Sequence, residues 1–201
     1  MASARALQAR TDDVRRAAML DARVFRAARR AGTPGAAAAE DALELHEGLA
    51  EYTGVRPGAT EPVAAALGDL ANHVDDKSFV RSFAYATGPA YGLLLDDVAP
   101  AWRSKIQHAG SLSTTLAHAL EVTVDARELE QRAASYDGAA LHAAEVERGA
   151  KYAAVLARYR AQLIDGPVVT LPLQHMKIEF DPNEVESLRT RSGDHSVGQS
   201  A

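Results

Sequence analysis

Four glutamates, Glu40, Glu44, Glu47 and Glu51, recur at spacings of four, three and four residues. At about 100° per residue they form one narrow stripe on a helix. Ala42, Leu45, Leu49 and Tyr52 form a second stripe on nearly the opposite side. The ordinary expectation is a solvated acidic face above a buried apolar one. The chemical alternative is that one carboxylate points into a cleft as a metal ligand or a base. A second segment breaks a local rule: Tyr85-Ala86-Thr87-Gly88-Pro89-Ala90-Tyr91-Gly92 places glycine and proline inside an apolar helix. Pro89 cannot donate to the carbonyl of Tyr85, four residues back, so a kink is expected beside that tyrosine. Either small residues there admit another helix, or the irregularity aims Tyr85 at a site.

No other constellation is complete. The seven histidines (His46, His73, His108, His118, His142, His175 and His195) include no two that are three to five residues apart. No helix turn therefore offers a histidine pair to one metal. The chain contains no H-E-x-x-H, no G-x-S-x-G and no phosphate-cradling glycine loop. With no cysteine, it has neither disulfides nor thiolate ligands.

The elements that must carry these residues are helical. Residues 2–30 read as one helix, stopped by Ala31-Gly32-Thr33-Pro34-Gly35. A second helix covers about 36–52, with Gly54 as a left-handed terminator. Glu61-Pro62 opens a third, since proline is tolerated in a first turn. Residues 72–77 break the chain, and 78–97 form the most apolar helix. Short helical stretches follow around Trp102, over 111–121 and over 126–135, then a long one over 138–164. After Asp165-Gly166-Pro167 the period changes to two, and residues 168–171 and 176–180 read as strands. The expected architecture is mainly α. It comprises a helical bundle-like domain over 1–165, a short two-stranded β appendage within 166–188, and a disordered tail over 189–201.

Composition limits the partners. A net charge of −5 argues against nucleic acid as the main one. Eight arginines lie between Arg5 and Arg30, against Asp12, Asp13 and Asp21. Such a start can mimic a transit peptide or a membrane-surface helix, but an ordinary solvated helix face is expected. No run approaches the ~20 apolar residues of a membrane span, and no secretory segment opens the chain. The default compartment is cytoplasmic, or outside the cell if a longer parent carries a signal.

Two segments together resemble a known family. Glu47-Gly48-Leu49-Ala50-Glu51-Tyr52 is similar to the E-G-x-x-x-Y helix of gluzincin metallopeptidases, the thermolysin- and aminopeptidase-like zinc enzymes. The segment from Tyr85 to Asp96 resembles that family's later Y-x-x-G helix, in the same order along the chain. The resemblance implies that Glu47 is the third zinc ligand and that Tyr85 donates a hydrogen bond to the developing oxyanion. It covers roughly residues 36–97 and departs from the family by lacking the H-E-x-x-H helix. A catalytic zinc needs three protein ligands and an open position, so zinc is implied for the complete enzyme and not for this chain alone. The implied function is an incomplete peptide-hydrolysing domain, inactive alone, whose peptide substrate binds once a missing N-terminal part completes it. The alternative is a non-catalytic helical scaffold or interaction module.

Overall fold

The computed structural model describes residues 1–33, 35–76, 79–106, 110–121, 125–167, 169, 177, 179, 185–190 and 193–198. Of residues 79–81, 126 and the last two segments, only the backbone is described. The architecture is mainly helical. The chain divides into two units, Met1–Gly138 and Ala139–Ala201.

The first unit begins with two helices where the sequence suggests one. Helix α1 spans Ala2–Leu7 and α2 spans Asp12–Ala31. The break follows from local chemistry: Thr11 is extended, and its hydroxyl accepts from the Val14 N–H. Asp12 and Asp13 then occupy the electropositive first turn. Gly35, in the left-handed region at φ 87°, reverses the chain after α2. Helix α3 covers Ala36–Leu43 and runs into a π turn, Glu44–Gly48, then into α4, Leu49–Gly58. The expected stop at Gly54 does not occur. Gly54 stays helical and the helix continues through Pro57, with Ala59 as the first extended residue. One proline removes a single hydrogen bond near a helix end, which the last turn tolerates.

Helix α5, Pro62–Asn72, starts with Pro62 in its first turn as expected. Helix α6, Phe79–Val98, runs unbroken through Pro89. A 3-10 turn at Trp102–Ser104 precedes α7, Leu112–Leu120. Ser111 caps α7 by accepting from the Thr114 N–H, and Glu121 ends it in the left-handed region at φ 54°. Helix α8, Leu129–Ala133, lies between the 3-10 turns Ala126–Glu128 and Ala134–Tyr136.

Helix α6 is the centre of this unit and packs against α1, α4, α5, α7 and the π turn. Phe83, Ala84, Ala86, Ala90, Tyr91 and Leu94 are all buried along it. Met19, Leu70, Trp102, Leu112, Leu116 and Leu120 complete the core from its neighbours. Because so many α6 positions are alanine or glycine, the partner helices approach closely instead of standing off on long side chains.

Apart from its first residue, α9, Gly138–Leu163, belongs to the second unit, and none of its residues is buried. Most of the residues expected to be extended, 168–171 and 176–180, lie outside the described set. Further along, the backbone pairs Val185–Thr190 antiparallel with Gly193–Gly198, Val185 opposite Gly198. Among the described residues, no helix is long and apolar enough to cross a membrane.

Candidate functional site

The contact between the π turn and α6 is set by missing side chains. A Cβ on Gly88 would lie 2.3 Å from the Gly48 carbonyl oxygen and 2.4 Å from its Cα. A Cβ on Gly48 would lie 2.9 Å from the Ala84 oxygen. The two backbones therefore meet directly, a contact only glycine permits. One turn along, a Cβ on Gly92 would lie 2.1 Å from the Tyr52 ring, so Gly92 is the socket into which Tyr52 packs. The Tyr52 hydroxyl donates to Asp96 at 2.8 Å, and Asp96 also accepts from Trp102 Nε1 at 3.0 Å and Arg56 Nε at 3.0 Å. This carboxylate ties α4, α6 and the following 3-10 turn together.

That crossing brings Glu47 and Tyr85 together. They lie 38 residues apart in sequence, yet the Tyr85 hydroxyl donates to Glu47 Oε2 at 2.6 Å. Glu47 is half-buried and Tyr85 is 37% exposed, so the pair is open to solvent on one side. His46 is exposed beside them, and Glu51 is half-buried.

The other members of the acidic stripe behave differently, and the expectation of a solvated face is corrected for them. Glu44 is fully buried. One of its oxygens accepts from Arg26, and the other accepts from the Ser113 N–H at 2.7 Å, in the first turn of α7. Glu40, 8% exposed, accepts from Arg29 at 2.5 Å and from Arg30 Nε at 2.8 Å. Asp41 accepts from Arg30 at 2.5 Å. Burial alone would push the Glu40 carboxyl up, but the Arg29 and Arg30 guanidiniums outweigh it and hold the group below its ordinary range. The arginines of α2 are corrected with them: Arg26 is buried, and Arg23 and Arg30 are half-buried. Burial lowers the Arg23 guanidinium's pKa, and its buried Nε has no hydrogen-bond partner among the described residues.

Two stripes that would each be solvent-facing alone are thus each other's partners. Sequence reasoning missed Arg26 and Ser113, although a signal existed. Arg23, Arg26 and Arg30 repeat at three and four residues, the same period as the acids they face. The π turn separates the roles within the acidic stripe. Its wider i→i+5 hydrogen bonding changes the angular phase, so Glu44 faces the interior while Glu47 faces Tyr85.

Chemically the pair offers one carboxylate and one phenolic donor. Glu47 is a single potential metal ligand, and no group of three or more His, Asp or Glu able to hold a metal occurs among the described residues. Two surface hollows, of about 240 and 250 Å³, lie elsewhere. One is lined by Asp21, Gln131, Arg132 and Ser135, the other by Asp13, Arg16, Ala17, Leu20 and Leu120. Comparison of the chain with protein-family models, curated proteins and solved structures finds no match.

Proposed function

We propose that Glu47 and Tyr85 form one wall of a zinc-dependent peptide-hydrolysing site of gluzincin type, completed by a segment that supplies the remaining ligands. Alone, the chain is inactive and holds no zinc. The observation that supports this reading is the 2.6 Å bond between the Tyr85 hydroxyl and Glu47, made by two partly exposed side chains 38 residues apart. Such proximity is what a third metal ligand and an oxyanion donor require, since both address the same reacting centre. The π turn beneath Glu47 adds to it, because π insertions are frequent at functional sites. In this reading Glu47 supplies the carboxylate and Tyr85 the hydroxyl that hydrogen-bonds a peptide's developing oxyanion. The helices of the first unit serve as the support.

A second reading, a non-catalytic helical scaffold or interaction module, is favoured by a different observation. Glu40 and Glu44 are engaged by internal partners, arginines of α2 and the Ser113 amide, so this part of the stripe has a structural use that needs no ligand.

The upstream coding DNA separates the two. An in-frame H-E-x-x-H helix would be expressed together with this chain, and zinc content and peptide hydrolysis measured. The expected result is one zinc per extended chain, lost in Glu47→Gln. Tyr85→Phe should keep the zinc but lose about 10²–10³-fold in kcat. Calorimetric titration of the present chain at neutral pH should show no high-affinity zinc site. Absence of an H-E-x-x-H segment, or zinc binding indifferent to Glu47→Gln, would leave the scaffold reading standing.

A further inference from the structure

The least expected group in the first unit is Glu44, a carboxylate with no exposure at all. Its surroundings are specific. Arg26 from α2 donates to one oxygen, and the Ser113 N–H donates to the other at 2.7 Å. Ser113 lies in the first turn of α7, where amides lack a helical partner and the helix dipole favours an anion. Arg26 is itself only 6% exposed in its side chain and lies over the rings of Phe83 and Tyr91, at 5.7 and 5.9 Å from their centroids. Three elements far apart in sequence thus converge on one carboxylate.

A buried ion pair is weak evidence of stabilisation, because a well-packed apolar substitute often does as well; its best attested use is to fix registry. Registry is what this place needs. Glu44 opens the five-residue π turn that contains Glu47 and closes at Gly48. With both Glu44 oxygens engaged in different directions, rotation of the turn about the helix axis would break one bond or the other. On its other side the turn meets Gly88 backbone to backbone. The turn is gripped from two sides, and Glu47 sits between the grips.

We propose that Arg26, Glu44 and the Ser113 amide form a positioning cluster that sets the rotation of the π turn and thereby holds Glu47 against Tyr85. This deepens the reading of Glu47 and Tyr85 as a functional pair and makes Glu44 a positioning residue, with no contact to substrate required.

The test reads the Tyr85 phenol directly and needs neither metal nor peptide. The full chain is labelled with [13Cζ]tyrosine, and the Tyr85 resonance is assigned by its loss in Tyr85→Phe. Glu47→Gln then gives the resonance position for a phenol without its carboxylate partner. Glu44→Gln preserves the side-chain shape but removes the charge that holds Arg26, and it should move the Tyr85 resonance toward the Glu47→Gln position. Leu116→Ala, a fully buried core truncation that removes none of the bonds to Glu44, serves as the stability control and should lower the melting temperature while leaving Tyr85 in place. If Glu44→Gln does not fold, Arg26→Lys, which keeps the charge and loses the fork, is read in the same way. A Tyr85 resonance unmoved in the folded variant, with stability lowered as in Leu116→Ala, would overturn the proposal. Because zinc is absent throughout, failure of the peptidase reading would show only in the zinc measurements and not here.

Discussion

Glu40, Glu44 and Glu47 belong to one stripe by sequence, yet two of them are bound to arginines and the third to a phenol. The period of the stripe was legible; its environment was not. A row of carboxylates has the same spacing whether it faces water or a row of guanidiniums, and only the fold decides which. Arg26→Ala would leave Glu44 buried with its charge uncompensated, and chemical denaturation should show a loss of about 3–5 kcal/mol. The Glu40 group gives a pH signature. Its folded pKa lies below the unfolded value, so its contribution is fully present above the ordinary glutamate range and is lost as pH falls through the depressed folded value. Melting temperature followed downward from neutral pH should therefore decline in the acid range, and Glu40→Gln should flatten that decline. At the other end, burial and the bond to Asp21 push the Tyr136 phenol up to about 12. Its contribution belongs to the neutral form: it is fully present below the ordinary phenol value and is lost as pH rises from there through about 12.

At the level of elements, most helices were legible because their signals are local. Pro62 opens α5, Ser111 caps α7, and the apolar run carries α6 to Val98. Two of the differences come from competing local signals. Thr11-Asp12-Asp13 starts a new helix inside a long alanine-rich run. Gly54, which could have ended a helix, remains helical instead. The pairing of the glycine-bearing helices was visible only as an irregularity, since a sequence does not say what a small residue makes room for. Two glycine substitutions distinguish these cases. Gly88→Ala would place its Cβ inside the Gly48 backbone and should cost at least about 1–3 kcal/mol, with strain at the Glu47–Tyr85 bond. Gly54→Ala meets nothing within 4 Å and should stabilise by about 0.5–1 kcal/mol through helix propensity. Thermal melts of the two variants should shift in opposite directions.

Across the whole molecule, the division falls after Gly138, the first residue of α9. The first unit contains the buried core, the arginine–carboxylate cluster and the Glu47–Tyr85 pair. It is closed at its end by Tyr136, whose hydroxyl donates to Asp21 at 2.7 Å and whose ring meets Phe25 edge-on at 5.2 Å. Arg132 also donates to Asp21, at 2.6 Å. A chain of residues 1–138 should therefore fold cooperatively, with a melting temperature within a few degrees of the full chain. One ending at residue 125 loses both Asp21 contacts and should melt lower. The sequence marks the end of the long helix clearly at Asp165-Gly166-Pro167, but it cannot show that the helix buries none of its residues, because its alanine-rich pattern suits packing equally well.

The glycine contact also changes what kinship between such chains would mean. In the two motifs that carry the resemblance, Gly48, Gly88 and Gly92 are imposed by the meeting of the backbones and the Tyr52 socket. Any chain that keeps this helix crossing needs them, whether or not it does chemistry. Glu47 and Tyr85 are under no such compulsion, because they are partly exposed and could drift once nothing used them. A chain that matches this one only at the glycines would share the helix crossing, and one that matches at the glutamate and tyrosine as well would share the paired side chains.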